Sequence, residues 1–382
     1  MPHAVIKTQE PLIAIDDKDI FFSSSGSAFV YPAETACEAF FIKAYSKRDH
    51  VIVKLEKATH PLITDCLKGK VLEFAKYLAE RLKGSIVHHN LKPTGKNCRL
   101  FEKYLLDLRI INHTVINKLF DKPIELEIGS AKGEFITKIA SKNKEKQFIG
   151  IEIVQETLSK ALLRVEKLNL QNISFIHYDA RFLLDRFLPD SVDAVYVFFP
   201  EPWFKKKRLK HALFDRLTLS KIANILKNGG IFKLFTDNHA YALSISTALD
   251  DLDQLTSTTQ YPFMVATERI DTYYERRWLK RNRTIYKLTY TKTKHHQALD
   301  LPDIKFPIKI NKEYILKDNI IFKILDIYEN PFDERIAEVV FGYSLNPQHT
   351  FFGLTKNNEL FEIAQSRFIA DSQAKKAFEL AK

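Results

Sequence analysis

Little in this sequence can cross-link the chain or anchor it. Three cysteines, Cys37, Cys66 and Cys98, lie far apart among 382 residues with no CxxC pair. They support neither a disulfide framework nor a zinc site, and His88-His89 is an isolated pair without further ligands nearby. No metal is expected. No apolar run approaches the ~20 residues that span a bilayer. The first twenty residues lack the basic, apolar and small-residue blocks of a secretory signal. A reducing cytoplasm and no membrane are the expectation. The G-x-G-x-x-G of a nicotinamide enzyme is also missing: in Gly129-Ser130-Ala131-Lys132-Gly133 an alanine stands where that pattern needs its second glycine.

What the chain has in excess is localised positive charge. Its formal net charge is +11; residues 205–216 carry six cations and one anion, and residues 271–296 carry eight cations and two anions. These two segments hold the entire excess, and the rest of the chain is neutral. Localised charge of this kind reads as a polyanion footprint, and nucleic acid is the expected partner. With 45% hydrophobic and 27% charged residues the chain is otherwise an ordinary globular composition.

The chain is organised around residues 195–208, Val-Tyr-Val-Phe-Phe-Pro-Glu-Pro-Trp-Phe-Lys-Lys-Lys-Arg. The continuous apolar start predicts a strand buried on both faces. Pro200 and Pro202 end it and force an extended loop. That loop carries an acid (Glu201), an indole (Trp203) and four consecutive cations, a set that suits a nitrogenous base attached to phosphates. A proline-kinked loop with solvated lysines is the plainer alternative.

Around this stretch the pattern alternates. Strands are predicted at 124–128, 148–152, 174–177, 194–199 and 231–235, with helices at 134–141, 155–168, 180–187 and 214–227. Such alternation means a parallel sheet with helices on both faces. Lys227-Asn228-Gly229-Gly230 is expected to stop the last of these helices. A hairpin-forming pair is predicted at 263–268 and 284–290, and a helix at about 99–119 should lead in. Residues 1–97 predict a small α+β domain, with a helix at 64–82. Residues 296–382 predict a β-rich appendage closed by a helix at 359–381. The expected division is therefore 1–97, 98–295 and 296–382.

Acids recur at the ends of successive predicted strands: Glu127, Glu152 and Asp179. In open α/β sheets these tips meet the ligand, and Glu152 lies 23 residues past Gly129, the spacing of an acid that grips a ribose. Asp179 could accept from an adenine amino group. Gly129 and Gly133 would let a cofactor approach the backbone at a helix start. Three converging acids would repel a diphosphate but complement the cationic S-adenosylmethionine.

Taken together, LEIG (126–129), GIE (150–152), HYDA (177–180), FFPEPWFKK (198–206), FTD (235–237) and TYYE (272–275) resemble the bacterial tRNA (guanine-N7-)methyltransferase family. The resemblance covers about residues 124–291. It implies a seven-stranded, Rossmann-like class I S-adenosylmethionine-dependent methyltransferase sheet. It also implies tRNA as partner and N7 of a guanosine in the tRNA variable loop, position 46, as the methylated atom. By the same resemblance Glu127, Gly129, Gly133, Glu152 and Asp179 hold the cofactor, and Glu201 is the catalytic residue and a further cofactor contact. Lys205, Asp237, Thr272 and Glu275 fall on substrate positions. Three departures are visible: Glu201 replaces an aspartate, and Ala131 and Asn282 stand where glycine is common. A methyltransferase acting on another base or on a protein, and a non-catalytic tRNA-binding protein, are the open alternatives.

Overall fold

The computed structural model describes residues 1–12, 15, 17–35, 38–58, 62–92, 98–202, 213–258, 263–295 and 302–382, with the backbone alone at 98 and 99. Expectations that fall on Trp203 and on the basic run Lys205–Arg208 therefore lie outside the described residues. The chain forms two compact units. One holds residues 103–302 and 369–371, and the other holds 1–102, 303–368 and 372–382.

The first unit is the predicted alternation. Its elements are β1 (Ile124–Ile128), α1 (Glu134–Lys142), β2 (Gln147–Ile151), α2 (Gln155–Lys167), β3 (Ile173–Ile176), α3 (Ala180–Leu183) and β4 (Val192–Phe198). They continue with α4 (Arg216–Ile225), β5 (Leu226–Thr236), α5 (His239–Asp250), β6 (Leu255–Ser257), β7 (Met264–Val265), α6 (Tyr273–Leu279) and β8 (Tyr286–Lys292). The strand order is β6-β8-β5-β4-β1-β2-β3, with β7 also paired to β8. Strands β3, β2, β1, β4 and β5 run parallel, and β8 is antiparallel to β5. Every residue of β1 and β2 is buried, as expected of central strands covered on both faces. Among the described residues the sheet has eight strands, one more than expected. The extra one is the two-residue β7, all that forms of the predicted strand at 263–268.

Strand order reverses at β1, which has β2 on one side and β4 on the other. The crevice outside the carboxyl ends of these strands is where such sheets bind ligands. Two local predictions change in detail. The Lys227–Gly230 segment does not end a helix reaching 227, because α4 stops at Ile225 and the four residues bulge out of β5. Val192 pairs with Leu226, and two residues later Ala194 pairs with Ile231. The lead-in helix is broken into Cys98–Tyr104, Leu108–His113 and a 3-10 turn at Ile116–Leu119. Asp107 caps the second piece by accepting from the Arg109 N–H, so a capping side chain interrupts the predicted helix.

The second unit corrects the expectation of separate N- and C-terminal pieces. Among the described residues its twelve strands form one sheet, in which Phe21–Ser23 pairs with Ile320–Glu329. Phe21, Val30, Phe41, Tyr328, Ile336 and Phe351 share one apolar cluster across that junction. A buried polar network spans it too: Lys43 donates to the Tyr328 hydroxyl at 2.9 Å and lies 3.7 Å from both Glu56 and Glu338. Strand edges left unpaired are a liability, and each terminal piece covers the other's edge. The predicted C-terminal helix is confined to Ser372–Ala381, because Glu359–Phe361 is a strand. No described helix is long and apolar enough to cross a membrane.

Candidate functional site

A cleft of about 990 Å³ opens at the tips of the parallel strands. Its walls include Gly129 after β1, Glu152 after β2, Asp179 after β3, Glu201 after β4 and Asp237 after β5. Five separate sequence segments thus reach one cavity. Tyr274, Arg277 and Trp278 of α6 line it as well. Next to it lies a narrower recess bounded by Glu127, Gly129, Lys132, Phe135, Thr272 and Tyr273.

The loop after β1 explains its composition. Gly129 and Gly133 have φ of +73° and +67°, the left-handed region that favours glycine. A Cβ on Gly133 would sit 2.9 Å from the Cβ of Ala161, whereas nothing lies within 4 Å of one built on Gly129. Gly133 is needed for helix packing, and Gly129 leaves open space facing both cavities. Ala131 and Asn282, the two departures from glycine, are also left-handed, at +47° and +53°. Asparagine accepts this conformation readily, and alanine does so at a cost of roughly 1–2 kcal/mol.

The acids behave differently from one another. Glu127 is buried with its Oε2 unpartnered. Burial pushes its carboxyl well above the usual range, the Ile136 N–H pulls it down, and Glu152 and Glu134 push it further up. Glu152 is buried but satisfied: its oxygens accept from the Ala131 and Val154 N–H groups, each at 2.7 Å. Burial raises this carboxyl too, against those two hydrogen bonds. Glu152 therefore ties the glycine loop to the tip of β2. Asp179 caps α3 through the Arg181 N–H at 3.0 Å and also holds the Arg181 guanidinium through both oxygens.

At the tip of β4, Phe199 has φ of +53°, rare for an aromatic residue. Its N–H donates to Phe235 O at 2.7 Å, which fixes the turn from strand into Pro200-Glu201-Pro202. Glu201 is exposed on this loop. Beneath it, Phe135 packs edge-on to Phe198, which packs edge-on to Phe235. Asp237, after β5, receives an N–H from Arg283.

The TYYE segment is tied into its own loop by hydrogen bonds. Thr272 caps α6, its hydroxyl accepting from the Glu275 N–H at 3.3 Å. Glu275 is 1% exposed, and its two oxygens accept from Ile270 N–H at 3.1 Å and Asp271 N–H at 2.7 Å, with Arg269 alongside at 3.3 Å. A Thr followed three residues later by Glu is a capping-box pattern, and here both side chains build the loop entering α6. Neither is among the residues lining the larger cleft, although Thr272 borders the recess. Glu275→Ala should therefore lower stability by about 2 kcal/mol, since the buried Ile270 N–H and the part-buried Asp271 N–H lose their acceptor. Chemical denaturation would show it; unchanged stability would return Glu275 to a purely ligand-binding role.

Some of the positive charge is internal as well. Lys292 is buried and pairs with Asp190 at 2.6 Å, and Lys287 pairs with Glu268 at 3.0 Å. Arg277, Arg281 and Arg283 instead surround the Trp278 ring, at 5.2, 5.5 and 4.5 Å from its centroid. Arg276, Lys280 and Lys294 of the same basic segment are exposed.

Sequence reasoning missed two residues. Glu134 binds the Tyr273 N–H and, at 3.0 Å, Arg276, and so fastens α6 to the glycine loop. In sequence it is an ordinary acid in a first helical turn. Arg181 closes on Asp179, and only its two-residue spacing hinted at it. Among the described residues, no group of three acids, histidines or cysteines could hold a metal ion.

A family model described as "Putative methyltransferase" matches residues 121–288. The tRNA (guanine-N(7)-)-methyltransferase of Nitrosomonas eutropha is 34% identical over 171 residues, 44% of this chain and 76% of that protein. The chain belongs to the tRNA (guanine-N(7)-)-methyltransferase family. The Aquifex aeolicus member is 29% identical over 58% of this chain and 80% of its own length. The Helicobacter acinonychis member is 25% identical over 96% of this chain and 93% of its own, so this family includes a protein whose similarity extends over both units.

Proposed function

We propose that this chain transfers the methyl group of S-adenosylmethionine to N7 of a guanosine in tRNA, at position 46 of the variable loop, acting in the cytoplasm. One observation carries the reading: the glycine loop and the acids Glu152 and Asp179 share a single cleft with Glu201 and Asp237. A cofactor site and a base site meet there.

The residues fit the cofactor. The open space at Gly129 admits its close approach to the backbone, and the unpartnered Glu127 oxygen offers an acceptor for an ammonium or sulfonium charge. Glu127, Gly129, Glu152 and Asp179 would hold it, with Gly133 setting the loop; once bound, it supplies an electrophilic methyl group. Guanine N7 has an in-plane lone pair and no proton, so no general base is required. The protein's task is to orient the base, which contributes ~7–11 kcal/mol in favourable cases. Glu201 and Asp237 accept from N1–H and the exocyclic amine and present N7. Thr272 and Glu275 shape the wall that carries Tyr274 and Trp278. Arg277, Lys280 and Arg281, with Lys205 and its basic neighbours, meet tRNA phosphates.

The test is methylation of bulk tRNA followed by borohydride and aniline cleavage, which breaks the strand at N7-methylguanosine. Cleavage at position 46 is expected. Methyl incorporation without cleavage would mean another target atom, and no incorporation would mean a binding protein.

A further inference from the structure

The Asp237 side chain is mostly buried, 13% exposed, and its carboxylate already has a partner in Arg283. The Arg283 side chain is 50% exposed and its guanidinium lies over the Trp278 ring. Trp278 lines the same cleft, and its Nε1–H is buried without an acceptor. The acid assigned to the base is thus closed by a cation whose side chain is half-exposed.

We propose that Arg283 is a displaceable placeholder on Asp237, released when a guanine takes the carboxylate and then used on an RNA phosphate. This rests on Asp237 being the guanine acceptor. The chemistry matches closely. Guanine's N1–H and C2–NH₂ edge is a planar array of N–H donors on an N–C–N unit, and a guanidinium is the same array carrying a positive charge. A carboxylate accepts from either. The exchange leaves Asp237 partnered throughout, which a mostly buried acid requires. Adenine lacks that donor edge and leaves the ion pair in place. Displaced Arg283 stays over Trp278, held by the ring face beside Arg277 and Arg281. Its charge, no longer neutralised by Asp237, becomes available to the polyanion.

The test measures inhibition of tRNA methylation by guanosine and by adenosine, together with tRNA binding across a salt series. Arg283→Ala should tighten guanosine about threefold to fivefold, the effect of removing a half-exposed ion pair as competitor. Adenosine inhibition should stay unchanged. The same variant should weaken tRNA binding and lower its salt slope by about one. Arg283→Lys, which keeps the charge, should restore the slope. Weaker guanosine inhibition in Arg283→Ala, or equal tightening of both nucleosides, would overturn the placeholder. Wild-type turnover in Asp237→Asn would instead remove the guanine-acceptor reading itself, so the two failures are separable.

Discussion

A Glu127→Gln variant should unfold at a higher temperature than the wild type and bind S-adenosylmethionine about 100-fold more weakly at neutral pH. Both effects come from one buried oxygen. Glu127 sits at the tip of β1 with Oε2 unpartnered, and burial together with Glu152 and Glu134 raises its carboxyl well above normal. An acid whose folded value lies above its unfolded value favours the folded state fully below the unfolded value, and that advantage disappears as pH rises towards the folded one. Above it the protein carries a buried, poorly satisfied charge. Glutamine takes no part in this titration, so about 1–3 kcal/mol of stability should return as pH rises above the unfolded value. The cofactor reverses the preference, because its cationic groups favour the carboxylate. Wild-type affinity should therefore fall as pH drops through the raised Glu127 value, with proton release on binding. Calorimetry in buffers of different ionisation enthalpy reads that release, which the Gln variant should lack. Equal affinity of the two proteins, or a lower unfolding temperature for Gln, would remove Glu127 from the cofactor site.

The acids at the strand tips were legible because their strands are buried on both faces. A charged residue closing a continuous apolar run such as Val195–Phe198 has few places to go except the sheet's edge, where ligands bind. The proline pair at 200 and 202 was legible for a similar reason, since it ends a ladder. Pairing between distant segments was not legible. Nothing in Phe21–Ser23 shows that it will meet Tyr328 and Glu329, because a strand's pattern records which face is buried and not which neighbour lies alongside. The two terminal pieces therefore read as separate until their edges were seen joined.

The roles of individual charges were equally hidden. Residues 271–296 read as a basic surface, yet Lys292 is inside the sheet on Asp190 and Lys287 is held by Glu268. Composition counts a cation identically whether it faces solvent or a buried acid. Glu275 shows the same limit for acids. Its family resemblance suggested substrate, while its spacing from Thr272 already satisfied a capping box, and the local hydrogen bonds follow the spacing. Ala131 and Asn282 work in the opposite direction. Their left-handed backbones explain why glycine is common at both positions and why its replacement leaves the loops intact.

Removing the carboxylates at Glu201 and Asp237 together should expose how the base is held. Each single change, Glu201→Gln or Asp237→Asn, should lower kcat/KM about 100-fold, the loss of one charge-assisted hydrogen bond plus misorientation of N7. The affinity for tRNA should change little, because phosphate contacts dominate it and both acids oppose the RNA's charge. The double variant decides the geometry. Both side chains line one cleft, and acceptors on one donor edge act as a unit, so once either is lost the guanine is free to rotate and the second adds little. The double loss should then fall well short of the product of the singles. Multiplying effects would instead mean that the two acids act on separate groups, one on the base and the other on the cofactor. Glu201 is exposed and sits on a loop fixed by the strained Phe199, whereas Asp237 is held by Arg283. Of the two, Glu201 is the exposed one, so a change of one methylene disturbs no packed neighbour. A Glu201→Asp variant should accordingly retain turnover within about tenfold of the wild type, and Asp237→Glu, which lengthens the mostly buried acid beside Arg283, should not.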